Sequence, residues 1–109
     1  MAWVTASEIL VQAGAPTPPS VPDTEWAEVC AEAVSTGLDA RLSDVEVDPL
    51  NAELHWVALE SGVEAYKRRE AVFGVTGYSD LQGVAIRVAR DYLDSYAPII
   101  TRYTTPGIG

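Results

Sequence analysis

The sequence predicts a mainly α fold: a small helical bundle of about four helices, with a short strand or hairpin and an extended C-terminal arm. Three observations lead there. Two long stretches, 23–42 and 49–69, carry apolar residues at helical spacing. Each opens on residues that start helices, Asp23 in one case and the Asp48-Pro49 pair in the other. The only run that alternates like a strand is short, Val84-Ala-Ile-Arg-Val88. A chain of 109 residues suits one domain, here 1–102, with a Pro-rich linker at 14–22 inside it and the arm at 103–109.

Taken in order, Thr5-Ala-Ser-Glu8 has the form of a capping box, with Thr at the N-cap and Glu three residues on. A short helix follows through Ile9, Leu10, Val11 and Gln12, and Gly14 ends it. Ala15 to Pro22 holds Pro16, Pro18, Pro19 and Pro22 and reads as extended. Asp23 caps a second helix to about Leu42. Asp48 and Pro49 open a third, reaching about Arg69, with Leu50, Leu54, Val57, Ala58 and Ala65 along one apolar face. Gly74, Gly77 and Gly83 punctuate a loop before the strand. Asp91 caps a short fourth helix through Tyr92, Leu93 and Tyr96, which Pro98 disrupts. From Ile99 the β-branched residues predict an extended tail.

Helices two and three have apolar arcs wider than a surface helix of a monomer usually shows. Trp26, Val29, Val34 and Leu38 spread around helix two, and Trp56, Leu59, Val63 and Tyr66 around helix three. Such arcs ask for more partner surface than one small domain supplies, and self-association provides it. A central helix covered by its own chain would look the same, so both readings stay open at this level. The tail offers Ile99, Ile100, Tyr103 and Ile108 as an arm able to add to another protein's sheet edge.

Net charge is −9, with 16 acids against 7 bases, which argues against a protein built to grip nucleic acid. The imbalance is uneven. Residues 1–60 hold eleven acids and one base, Arg41, while 61–109 hold five acids and six bases. Glu25, Glu28, Glu32 and Asp39 fall within roughly 60° of one another around helix two. Lys67-Arg68-Arg69 is the only basic run, suited to a phosphate, an acidic partner or simply a solvated helix end.

Little in the chain points to catalysis. His55 is the only histidine, and its place inside helix three reads as a partly buried helix residue. Cys30, the one cysteine, sits among Ala and Val as a small apolar residue does, and permits no intrachain disulfide. The glycines form no phosphate-binding loop, and Asp44-Val-Glu46-Val-Asp48 lacks the glycine and closing glutamate of a calcium loop. No catalytic, cofactor-binding or metal-binding residue is assigned, and no cofactor is expected. Met1-Ala-Trp3 has no secretory-signal form, and no apolar stretch nears the roughly 20 residues of a membrane span.

Several features in order carry a family resemblance. They are Trp3-Val-Thr-Ala-Ser-Glu8-Ile-Leu before a Pro-rich loop, and a long Ala-rich second helix. Next comes Ala65-Tyr66-Lys-Arg68-Arg69-Glu-Ala-Val-Phe73-Gly74-Val-Thr-Gly77-Tyr78, the most specific part. Last is Gly83-Val-Ala-Ile-Arg87-Val88, followed by an Asp-capped helix to Tyr96-Ala-Pro98. Together these resemble the head-to-tail connector (adaptor) proteins of long-tailed double-stranded DNA phages, in particular those of actinobacterial hosts. The chain departs from that pattern after Pro98, where Ile-Ile-Thr-Arg102-Tyr replaces the usual Pro-Tyr and basic residues.

The resemblance implies a structural virion protein of the neck, assembled in the host cytoplasm. It implies a ring, usually a dodecamer, under the portal protein, and a head-closure (stopper) or other neck protein as the next partner. DNA would pass through the channel without specific binding. On that picture Glu25, Glu28, Glu32 and Asp39 are the candidates for facing the channel, where like charge keeps DNA from sticking. Arg87, Arg90, Ile99, Ile100, Arg102, Tyr103 and Ile108 are the candidates for portal binding, and Trp26, Val29, Val34, Leu38, Trp56, Leu59, Val63 and Tyr66 for packing between subunits. The alternatives are a stopper, which would be richer in strands, and a small nucleic-acid-binding packaging subunit using Lys67 to Arg69, Arg87 and Arg90.

Overall fold

Each of the first three helices begins where a short polar side chain takes up an orphan backbone N–H, and the computed structural model shows which side chain does so. It describes residues 3–42, 47–48, 50–68 and 89–104. In α1 (Ala6–Ala13) the capping box is complete. The Glu8 N–H donates to Thr5 Oγ1 at 3.2 Å, and the Thr5 N–H donates back to Glu8 Oε1 at 2.9 Å. Gly14, at φ 78°, ends the helix in the left-handed conformation.

The second helix starts earlier than Asp23. In α2 (Val21–Arg41) the cap is Ser20, whose Oγ accepts from the Asp23 N–H at 3.2 Å. Pro22 lies in the first turn, where a missing N–H costs nothing, so the Pro-rich stretch runs into the helix instead of stopping it. The third helix starts later than Pro49. In α3 (Ala52–Lys67) the Leu54 N–H donates to Asn51 Oδ1 at 2.9 Å. Asp48 instead makes a turn of its own, accepting from the Leu50 N–H at 2.8 Å. Leu50 therefore lies outside the helix and is 86% exposed, not part of its apolar face.

Residues 89–95 are helical (α4), and after a turn at Tyr96 the chain continues as α5 (Ala97–Thr104). The expectation of an extended tail from Ile99 is corrected here. Pro98 sits in the first turn of a new helix, where it is tolerated, and the Ile99 and Ile100 N–H groups both donate to Tyr96 O. Burial of Ile100 (4% exposed) supplies what β-branched propensity withholds. Asp91 is not a cap, since Ala89 and Arg90 are already helical. The strand expected at 84–88 and the arm beyond residue 104 lie outside the described residues, which contain no strand.

The chain is a mainly helical bundle. α1, α2 and α3 pack against one another in all three pairs. Their interior is built by Ile9 from α1, Trp26, Val34 and Leu38 from α2, and Leu54 and Val57 from α3, with Leu93 from α4 added to it. Two glycines set how closely the helices cross. A Cβ on Gly62 would lie 2.7 Å from Ile9 Cδ1, and one on Gly37 would lie 2.8 Å from Leu93 Cδ1. A methyl at either position would have to push the tip of Ile9 or Leu93 aside, so glycine suits the close seating of α1 on α3 and of α4 on α2. Among the described residues no helix is long and apolar enough to cross a membrane.

Candidate association surfaces

α2 is covered from several sides by its own chain. Trp3 and Val4 are buried beside it, its partners α1 and α3 close two further sides, and Leu93 reaches Gly37. Trp3 is pinned there twice, its N–H donating to Ser35 Oγ at 3.1 Å and its indole N–H to Asp39 Oδ1 at 2.8 Å. The wide apolar arc of α2 thus belongs to a central helix. Trp26, Val34 and Leu38 are buried in the interior, as is Val63 on α3, so none of these four is open to a neighbouring subunit. The Trp26 indole N–H donates to Tyr66 O at 3.0 Å, which ties it further into its own chain. Val29, Leu59 and Tyr66 are half-buried against the same core. Trp56 alone of the eight packing candidates is exposed, at 46%, with its ring edge-on to Tyr96 at a centroid distance of 5.3 Å.

The acidic face survives in part. Glu25, Glu28 and Glu32 are exposed on α2, and no ion pair engages them among the described residues. Asp39 keeps its place on that face but is half-buried and held by the Trp3 indole. Between the N-terminal segment and α2 lies a groove of about 430 Å³, lined by Val4, Thr5, Ala6, Glu28, Ala31, Glu32, Ser35 and Thr36. Sequence reasoning missed it. No local pattern brings Val4 and Ala6 beside Glu28 and Glu32; only the docking of Trp3 on Ser35 and Asp39 does.

The C-terminal helices are fastened by charge around a few apolar anchors. Arg41 pairs with Asp94 at 2.5 Å and also donates to Arg90 O at 3.3 Å. Arg102 pairs with Glu53 at 2.6 Å, and the Tyr103 hydroxyl donates to the other oxygen of the same carboxylate at 2.7 Å. The Tyr103 hydrogen bond, helped by Arg102 against a smaller opposing effect of burial, holds the Glu53 carboxyl below its ordinary range. Of the seven candidates for portal binding, Arg90 is exposed and Arg102 is exposed but paired. Ile99 and Tyr103 are half-buried, and Ile100 is buried. Arg87 and Ile108 lie outside the described residues. Residues 99–104 have their backbone in a helix, so strand addition is closed to them.

The chemically versatile side chains are engaged in structure. His55 Nε2 lies 2.6 Å from Glu8 Oε2, linking α3 to α1. Burial pushes the Glu8 carboxyl up, but the Thr5 backbone N–H, the His55 ring and the Thr5 hydroxyl outweigh it and hold it below its ordinary value. Burial pushes the Cys30 thiol up to about 12, so it is not a thiolate at neutral pH. Burial also raises the Tyr96 hydroxyl, and the Glu60 and Glu64 carboxylates add to it. Among the described residues no group of histidine, cysteine and acidic side chains is arranged to hold a metal ion. Compared with known proteins, the chain matches no family model, no curated protein and no solved structure.

Proposed function

We propose that this chain is a structural subunit of a phage neck, a head-to-tail connector that joins others of its kind in a ring under the portal protein. The observation that carries the reading is the order of its elements. A capped short helix, a proline-rich crossing, a long α2, an α3 ending at Tyr66-Lys67-Arg68 and helices to Thr104 follow the order of the features that carry the family resemblance. The side chains support a structural role. His55 is held by Glu8, the Cys30 thiol is buried and protonated, and Glu25, Glu28 and Glu32 are exposed on α2 with no ion pair among the described residues. An acidic face beside a DNA channel repels the strand as it passes.

The test is capture by the portal protein of the same phage, with the mass of any complex measured. Many copies per portal is the expected result. A chain that stays monomeric beside the portal and binds DNA with a steep salt dependence would overturn it in favour of a packaging subunit.

A further inference from the structure

The groove beside α2 has an apolar floor and an acidic rim, and its complement lies elsewhere on the same molecule. Val4, Ala6 and Ala31 form the floor, with Glu28 and Glu32 at the rim. At the end of α3, Lys67 and Arg68 are both exposed and make no ion pair among the described residues. The Arg68 guanidinium lies over the Tyr92 ring, 5.6 Å from its centroid, so this end presents cations backed by an aromatic face. The acidic rim of the groove and the basic end of α3 are opposite in sign.

The two surfaces point in different directions. The bond from the Trp26 indole to Tyr66 O fixes the end of α3 on the Trp26 side of α2. Around that helix Glu28 lies about 160° and Glu32 about 120° from Trp26. One copy can therefore offer its groove to one neighbour and the end of α3 to another. A contact between two different patches passes from copy to copy and closes a ring when the rotation allows. We infer that a second copy of this chain docks in the groove, setting its Lys67 and Arg68 against Glu28 and Glu32. The inference names the subunit contact of the ring proposed above and rests on that reading for closure, though the contact itself stands on charge.

Sedimentation of the full chain at low salt tests it, with circular dichroism to confirm that each variant is folded. The wild type is expected to grow past a dimer with concentration and to dissociate in about 0.5 M salt. E28K/E32K alone and K67E/R68E alone are each expected to associate at least about tenfold more weakly, since like charges then meet. An equimolar mixture of the two is expected to recover association, because each variant's reversed surface meets the other's reversed complement. A wild type that stays monomeric to the order of 1 mM overturns the inference. So do single variants that associate as the wild type does, or a mixture no better than its components. Portal capture is scored separately: capture without the charge-swap pattern retires this contact and leaves the connector reading, while the pattern without capture does the reverse.

Discussion

The two halves of this bundle are held together differently. α1, α2 and α3 share an interior of large apolar side chains, with Trp26, Ile9, Leu38, Leu54, Val34 and Val57 wholly buried. α4 and α5 contribute Ala89, Leu93 and Ile100 to that interior, set Ile99, Tyr103 and Tyr96 (edge-on to Trp56) half-buried against it, and are further fastened at its edge by Arg41–Asp94, Arg102–Glu53 and the Tyr103–Glu53 hydrogen bond. Exposed ion pairs contribute at most about 1 kcal/mol each, less in salt, whereas one buried large side chain contributes several times that. The first three helices are thus the scaffold. The last two are the part that opens first when conditions weaken charge, as weakly buried elements do.

The comparison breaks if the scaffold is not the stronger half. Trp26→Ala should cost about 3–5 kcal/mol, because it empties the centre of the three-helix interior and removes the indole hydrogen bond to Tyr66 O. Urea unfolding should show a lower midpoint for the whole protein. Leu93→Ala should cost about 2–4 kcal/mol. Its signature sharpens the contrast: hydrogen exchange should accelerate across 89–104 more than in α1 to α3. Equal acceleration everywhere would mean that the two halves open as one.

A smaller effect has the opposite sign. Ser61 is wholly buried on α3 and its hydroxyl has no hydrogen-bond partner among the described residues. Ser61→Ala removes an unsatisfied polar atom at almost constant volume, and should raise stability by about 1 kcal/mol in the same urea experiment. The smallest effect concerns Glu53. Its folded pKa lies below the ordinary 4.5, so its contribution is present in full above that value and lost as pH falls through the folded pKa. Acid titration followed by exchange at α5 should loosen Ala97–Thr104 below about pH 4.5 while the scaffold amides stay protected. In Glu53→Gln that pH dependence should disappear, with α5 loosened already at neutral pH.

Reading the sequence recovered what depends on neighbours along the chain. The α1 capping box needs only Thr5 and Glu8 three residues apart, and it is present as read. The helical nature of α2 and α3 follows from apolar spacing and helix-forming residues, and both are helices. Their starts were misplaced because Ser20, Asp23, Asp48 and Asn51 are all competent caps. Which one acts depends on where the preceding chain is held. The candidate sites fared unevenly. Glu25, Glu28 and Glu32 stay on the surface, with no ion pair among the described residues. Asp39 is half-buried, because a tryptophan 36 residues away reaches it.

By itself, the sequence determined helix content, the caps at α1, the excess of acid over base and the burial tendency of Cys30, since each rests on local spacing or composition. Tertiary structure alone decided three things. It covered α2 from within the chain, so that Trp26, Val34 and Leu38 became interior and not interface. It turned residues 99–104 from extended to helical by burying Ile100 and giving Arg102 and Tyr103 a shared carboxylate. And it placed Val4 and Ala6 beside Glu28 and Glu32 to make a groove. All three depend on residues tens of positions apart meeting in space, and the strength of such contacts exceeds the few tenths of a kcal/mol by which local propensity prefers one conformation over another.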